Sequence, residues 1–213
     1  MRVGISQPEH FPYLGYFQKM SLCDVFVLLD SVQFSGPRSW QNRNRYTDCN
    51  DKSHWFTVPV AKNSYHRRIN EVRVALDNGW RQKLIKKMSY IAPGVDFGKI
   101  YQGEKLVDIN IRSIKLCCER LGLDAPILRS SELDVGGKKQ DLIYDICRTL
   151  GADVYVSGQG SKDYLKGVEF DSIEIAYLKP ELANYDSTVV FLRDRKMLEQ
   201  GKKMLGSFCL EGK

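Results

Sequence analysis

Arg2-Val-Gly-Ile-Ser6, then Gln7-Pro-Glu-His-Phe-Pro-Tyr13, then Leu14 to Leu22, then Val25-Phe-Val-Leu-Leu29 open the chain. The first is a short apolar run, the second a polar and aromatic corner, the third helix-compatible and the fourth a second apolar run, which reads as strand, loop, helix, strand. In a parallel α/β sheet the loop after the first strand lies at the carboxyl edge, where the N–H groups opening the next helix can face an anionic ligand. Pro8 and Pro12 stiffen this corner, and Gly15 lets the helix start come close to a neighbour or a ligand. Asp30 and Gln33 follow the second strand and set a carboxylate and an amide beside the same corner. That edge is the expected active site.

Working outward, Ser31 to Asn44 is a long polar connection with turn residues at Ser35, Gly36 and Pro37. Trp55-Phe-Thr-Val-Pro-Val60 reads as a strand in which Pro59 marks a strand end or a sheet edge, and Glu71-Val-Arg-Val-Ala75 alternates cleanly enough to pair with it. The spacing predicts a helix capped by Asn78 and running to Ala92, with Trp80, Leu84, Met88 and Ile91 facing a core and Lys83, Lys86 and Lys87 solvated. A stronger helix spans Leu106 to Leu121 and is ended by Gly122, with Asn110 at mid-helix placed either to cap a neighbouring loop or to reach the site. A strand at Pro126 to Ser131, a helix from Lys138 to Leu150, a strand at Asp153 to Ser157, a Gly-rich turn from Gly158 to Tyr164, and a last strand at Glu174 to Tyr177 continue the alternation. Leu192 to Leu205 reads as a final helix, within a C-terminal helical tail over 193–213. The expected fold is a single α/β domain over 1–213: a doubly wound, mostly parallel, Rossmann-like sheet with a small antiparallel insertion around residues 54–75.

Composition sets the outer bounds. The 213 residues, 43% hydrophobic and 27% charged, suffice for a core without staples. No stretch approaches the roughly 18 apolar residues of a membrane span, and the N-terminus lacks the apolar core of a signal peptide, so a cytoplasmic chain is expected. The six cysteines form no C-x-x-C pair and no metal-type spacing with His10, His54 or His66, and read as reduced thiols with no metal site. A net charge of +6 points to anionic partners but is too modest and spread to require nucleic acid.

Three constellations can carry chemistry. The first is the corner of Gln7, Phe11, Tyr13, Gly15 and Tyr16, in which His10 is placed to act as acid, base or oxyanion donor; a rigid structural corner is the plainer reading. The second gathers Asp30 and Gln33 with Arg38, Trp40, Asn42, Arg43 and Asn44, where guanidinium groups beside an indole offer a bidentate clamp for phosphate or carboxylate; the plainer reading is a basic surface loop. The third is Ser157, Gly158 and Gly160, whose glycines allow a ligand close to the backbone, although the pattern is neither a full G-x-G-x-x-G nor a Walker A motif.

Taken together, Gln7-Pro8, Phe11 to Phe17, Asp24 to Phe34, Trp40-Gln-Asn-Arg-Asn44, Thr57-Val-Pro-Val60, Ser130-Ser131 and Tyr155 to Gly158 through Tyr164-Leu165 resemble the WbqC-like protein family. The likeness thins after Pro180. Members of that family occur in bacterial O-antigen and surface-polysaccharide clusters, and the resemblance implies transfer of glycine or a related acyl group onto an amino sugar or sugar nucleotide. The order of elements also resembles the nucleotidyltransferase-like α/β group, with Tyr16 where a second histidine would be sought, which implies a phosphate-bearing small-molecule substrate. In the acyl-transfer reading Asp30 or His10 deprotonates the amine, and Arg43 or N–H groups near Gly158 stabilise the oxyanion. An ATP-dependent nucleotidyltransferase or ligase and a non-catalytic sugar-nucleotide-binding protein are the alternatives. The residues identify no cofactor. The reading expects the carboxyl rim of one sheet to gather Gln7, Asp30, Arg43 and Gly158 around one negatively charged guest.

Overall fold

A computed structural model of the chain describes residues 1–163, 165–182 and 185–211; Tyr164, which closes the Gly-rich turn, and the last two positions of the C-terminal tail lie outside the described residues. The opening stretch folds as read, into β1 (Arg2–Ser6), α1 (Leu14–Ser21) and β2 (Val25–Leu28). Next come a hairpin of β3 (Arg43–Thr47) and β4 (Ser53–Thr57) and the helices α2 (Trp80–Ile91), α3 (Phe97–Ile100) and α4 (Leu106–Leu121). The chain then runs through β5 (Ile127–Arg129), α5 (Gln140–Thr149), β6 (Val154–Gly158), β7 (Glu174–Pro180), α6 (Arg195–Met204) and β8 (Phe208–Glu211).

Six strands make one sheet in the order β5-β2-β1-β6-β7-β8, with every neighbouring pair parallel except β7 and β8. From the central β1 the chain winds outward through β2 to β5, crosses back to β6, and winds out through β7 to β8. The direction therefore reverses between β1 and β6, which leaves a crevice at their carboxyl ends.

Because successive strand side chains point to opposite faces, each strand feeds two cores. Val3, Ile5, Val27, Tyr155 and Ile175 pack against Leu142, Ile143 and Ile146 of α5. Phe26, Leu28 and Val156 face the other way, toward Phe17 and Met20 of α1 and Ile109 and Ile114 of α4. Gly4 lies on this second face. A Cβ there would sit 2.5 Å from Cys23 Sγ and 2.8 Å from Phe26 Cδ2, so the missing side chain is what lets the end of α1 lie on the sheet. Helix α1 is buried from Leu14 to Met20, and its Gln18 amide donates to the Met204 and Ser207 carbonyls at 2.6 and 2.8 Å, tying the end of α6 to the core.

Three expectations need correction. The antiparallel insertion exists, but its strands are β3 and β4, in a register that sets Arg45 opposite Trp55. Pro59 has no N–H and β4 stops before it; the 71–75 segment instead makes an isolated bridge between Val74 and Val60. Strand β3 escaped the hydrophobic pattern because its inward residue is Asn44, 1% exposed. Asn78 does not cap α2: Gly79 precedes the helix in a left-handed conformation, and its N–H donates to the Asp77 carboxylate at 3.0 Å. The face of that helix is as read, with Trp80, Leu84, Met88 and Ile91 buried and Lys83 and Lys86 exposed. Finally, β7 is not the last strand, and the tail is helical only to Met204, after which β8 pairs antiparallel with β7.

Candidate functional site

The crevice at the strand reversal holds a cavity of about 470 Å³. Its floor comes from the strand ends: Ser6 of β1, Gly158 of β6, and Leu178, Lys179 and Pro180 of β7. The corner and the first turns of α1 supply Glu9, Tyr13, Gly15, Tyr16 and Lys19, while Gln159 and Gly160 continue the turn after β6 and Tyr185 closes one side. Gly15 is needed for this closure. A Cβ at that position would meet Tyr13 Cε2 at 2.3 Å and Pro180 Cγ at 2.9 Å, so any larger residue drives α1 away from the end of β7 or the Tyr13 ring out of place.

Glu9, Lys19 and Lys179 bring ionisable side chains to the cavity. Lys19 is 7% exposed; its Nζ donates to the Ile5 carbonyl at 2.7 Å and to Ser6 Oγ. Burial pulls the ammonium down to about 8, against the opposing pull of Cys23 and Glu9. Burial pushes the Glu9 carboxyl up to about 7, and Lys19 offsets part of the rise. The Tyr13 phenol is pushed up to about 12, first by burial and then by Glu9 and Tyr185. The Tyr16 hydroxyl donates to the Gln7 carbonyl at 3.3 Å and so ties α1 to the corner.

Of the residues singled out from the sequence, Tyr13, Gly15, Tyr16, Gly158 and Gly160 line this cavity, and the others lie elsewhere. His10 is fully buried in an aromatic nest, with its ring centroid 5.2 Å from Phe11, 5.5 Å from Phe56 and 5.7 Å from Tyr101. Burial holds its imidazole down near 3, with Asn110 opposing, so the ring is neutral and packed rather than presented at the edge. Phe11 is fully buried, at a positive φ of 44°. Asp30 is also fully buried, and its carboxylate is occupied: Oδ2 receives Arg129 Nε and Nη2 at 2.8 Å and Ser131 Oγ at 2.9 Å, and Oδ1 receives Ser131 N–H at 3.0 Å and Ser130 Oγ at 3.2 Å. It knots the end of β2 to the end of β5, away from the crevice.

Gln7 uses its side-chain oxygen on Gln41, 2.6 Å away. Asn42 and Asn44 are buried and serve the backbone, Asn42 donating to the Val58 carbonyl and Asn44 to those of His10 and Phe11. Asn110 acts as expected on the loops, donating to the Pro8 and Gln41 carbonyls at 2.9 and 2.7 Å. Arg43 lies 4.0 Å over the Trp55 ring, and Trp40 stacks on Trp55 at 5.7 Å, forming an outward face of the hairpin. Gln33 and Arg38 are exposed, Gln33 beside His66 at 3.3 Å. Ser157 is buried and bonded to Ser161. The expected gathering of Gln7, Asp30, Arg43 and Gly158 around one guest is therefore not found: of the four, only Gly158 lines the cavity. Long polar connections attract attention in a sequence, but here their amides and carboxylate are consumed in holding the loops.

Sequence reasoning passed over Ser6, Glu9 and Lys19. A signal for Lys19 was present: helical spacing sets it on one face with Tyr16 and Cys23, and a lysine on a buried face must find acceptors. Among the described residues, no group of three or more His, Cys, Asp or Glu side chains is arranged to hold a metal ion. No helix among them is long and apolar enough to cross a membrane.

Residues 7–190 match the WbqC-like protein family. The chain belongs to that family. The family read from the opening corner, the Asp30 segment and the Gly158 turn is thus the one found, and its match stops short of α6 and β8. The WbqC-like chain is also 26% identical over 186 residues to a Mycobacterium tuberculosis (strain ATCC 25618 / H37Rv) protein, "Uncharacterized protein Rv1507c", covering 82% of this chain and 79% of that one. No solved structure matches it.

Proposed function

We propose that the chain is an acyl or aminoacyl transferase that acts on the amine of an amino sugar or nucleotide-linked amino sugar bound in the crevice between β1 and β6. The observation that carries this reading is the Glu9 carboxyl, held at about 7 inside the cavity at the strand reversal. A sugar ammonium must lose a proton before it can attack a carbonyl, and a base with a pKa near the working pH serves that step best. In our assignment Glu9 replaces Asp30 and His10 as the base, since both of those are enclosed. Lys179 and the turn at Gly158 to Gly160 bind the negative charge, whether phosphate or oxyanion.

The test is a thermal-shift panel of UDP- and dTDP-sugars, ATP, acyl-CoA thioesters and glycine, followed by product analysis with the compounds that shift. Nucleotide sugars are expected to raise the midpoint, by about 2.7 kcal/mol in stability at a hundredfold excess over Kd. Glu9→Gln is expected to keep that shift and lose about 10²- to 10⁴-fold in turnover. A shift with ATP and release of pyrophosphate, with none from nucleotide sugars, would replace this reading by nucleotidyl transfer.

A further inference from the structure

Ser6 is the last residue of β1, the central strand, and lines the cavity. Lys19 approaches from the buried face of α1 and donates to that hydroxyl and to the neighbouring Ile5 carbonyl. Beyond these two acceptors the ammonium looks onto the Phe26 ring, 5.6 Å away. Purely structural lysines are favoured at the surface, where the head group stays in water, whereas this one is buried and ends on the hydroxyl of a residue that lines the same cavity. A serine within hydrogen-bond reach of a desolvated amine is the arrangement that activates a serine nucleophile without histidine.

We propose that Ser6 and Lys19 form a nucleophile and base pair, and that the acyl group is carried as a Ser6 ester between donor and amine. This rests on the acyl-transfer reading above and adds a covalent intermediate to it. With an acyl thioester as donor, Ser6 Oγ forms a bond to the carbonyl carbon while its proton passes to the neutral Lys19 Nζ. Collapse of the tetrahedral adduct breaks the carbon–sulfur bond; the sulfur leaves with the electron pair and takes the proton from Lys19. The acceptor amine, freed of its extra proton by Glu9, then forms a bond to the ester carbonyl carbon and the bond to Ser6 Oγ breaks. The proton shed by nitrogen returns through Lys19 to Ser6 Oγ, leaving an amide and a free serine.

Several groups surround Lys19: Glu9 and Tyr13 from the corner, Tyr16 from its own helix, Cys23 just past the end of that helix, and Lys179 from β7. Cys23 and Tyr16 are held protonated well above neutrality by burial. Glu9 charges at about 7 and Lys19 loses its proton at about 8, so reactivity of Ser6 rises as the amine becomes neutral. Removing the Glu9 charge by Glu9→Gln withdraws support from the ammonium and moves the rise to lower pH.

The experiment treats the full-length protein with a fluorophosphonate, which bonds to a nucleophilic serine with loss of fluoride, and reads the adduct by intact mass and peptide mapping, alongside the nucleotide-sugar thermal shift. The expected result is one adduct, on Ser6, forming roughly a hundredfold faster at about pH 9 than at about pH 6. Ser6→Ala abolishes it, and Lys19→Met lowers its rate by at least about a hundredfold. Should Lys19→Met not fold, the pH profile of the unaltered protein decides. A flat profile, or an adduct on another residue or none, overturns the pair. A nucleotide-sugar shift without a Ser6 adduct removes the pair and leaves the transferase reading; a Ser6 adduct without such a shift removes the sugar acceptor and leaves the pair.

Discussion

Glu9 and His10 are adjacent in the chain, yet burial moves them in opposite directions, the carboxyl up to about 7 and the imidazole down to about 3. For Glu9 the folded-state value exceeds the ordinary 4.5, so its contribution to stability is present below that pH and is lost as pH rises through about 7. For His10 the folded-state value lies below the ordinary 6.5, so its contribution is present above that pH and is lost as pH falls toward 3. On acidification from about pH 7 to about pH 5 the two effects oppose each other. Urea midpoints measured across that window are expected to fall less in His10→Phe than in the unaltered protein, and more in Glu9→Gln. Equal slopes in all three would contradict the desolvation of His10 in its aromatic nest and of Glu9 at the cavity wall. A histidine and an aspartate draw the eye as catalysts, but His10 and Asp30 are enclosed, while the carboxyl that lines the cavity is their quieter neighbour Glu9.

Helix α1 has to serve the core and the site at once. It is buried nearly all round, with Leu14, Phe17 and Met20 in the core and the amide of Gln18 and the ammonium of Lys19 satisfied by backbone carbonyls, and its first turn lies so close to β7 that Gly15 admits no side chain. Alanine is worth up to about 1 kcal/mol over glycine inside a helix, yet the contacts at 2.3 and 2.9 Å make this an overpacked position. Gly15→Ala is expected to lose about 1 to 3 kcal/mol net by chemical denaturation and to weaken the nucleotide-sugar shift, because Tyr13 and Pro180 both line the cavity. A variant as stable as the parent, with an undiminished shift, would show that this closure does not shape the site. The hairpin of β3 and β4 gives the contrasting case: its Arg43, Trp40 and Trp55 form a stacked outer face, so residues that looked like an anion clamp are engaged with one another.

Taken as a whole, the sheet depends on its last strand. Tyr177 and Leu178 of β7 are buried, and β8 pairs with this strand from Tyr177 to Pro180, covering what would otherwise be an open edge. The buried Gln18 amide also finds its acceptors at Met204 and Ser207, just before β8. Truncation after Leu205 is therefore expected to lower the thermal midpoint and to produce concentration-dependent self-association in light scattering. A truncated chain that stays monomeric with an unchanged midpoint would show that the edge needs no cover.

The α/β class, the doubly wound and mostly parallel sheet, and the α4 span with its stop at Gly122 were all legible in the linear order of residues. Hydrophobic periodicity and glycine placement are local signals, and the expected and observed elements agree where such signals dominate. β3 was hidden because its inward position is an asparagine satisfied by carbonyls of His10 and Phe11, and β8 because it owes its form to pairing with β7. The composition of the site was legible only for the residues nearest the backbone turns, Tyr13, Gly15, Tyr16, Gly158 and Gly160. Which polar side chains stay available and which are consumed depends on partners nearly a hundred residues away or more, as when Arg129 and Ser131 donate to Asp30 and occupy it. That is decided only when the chain closes on itself, because a charge or hydroxyl is free for chemistry only if no packed neighbour has already satisfied it.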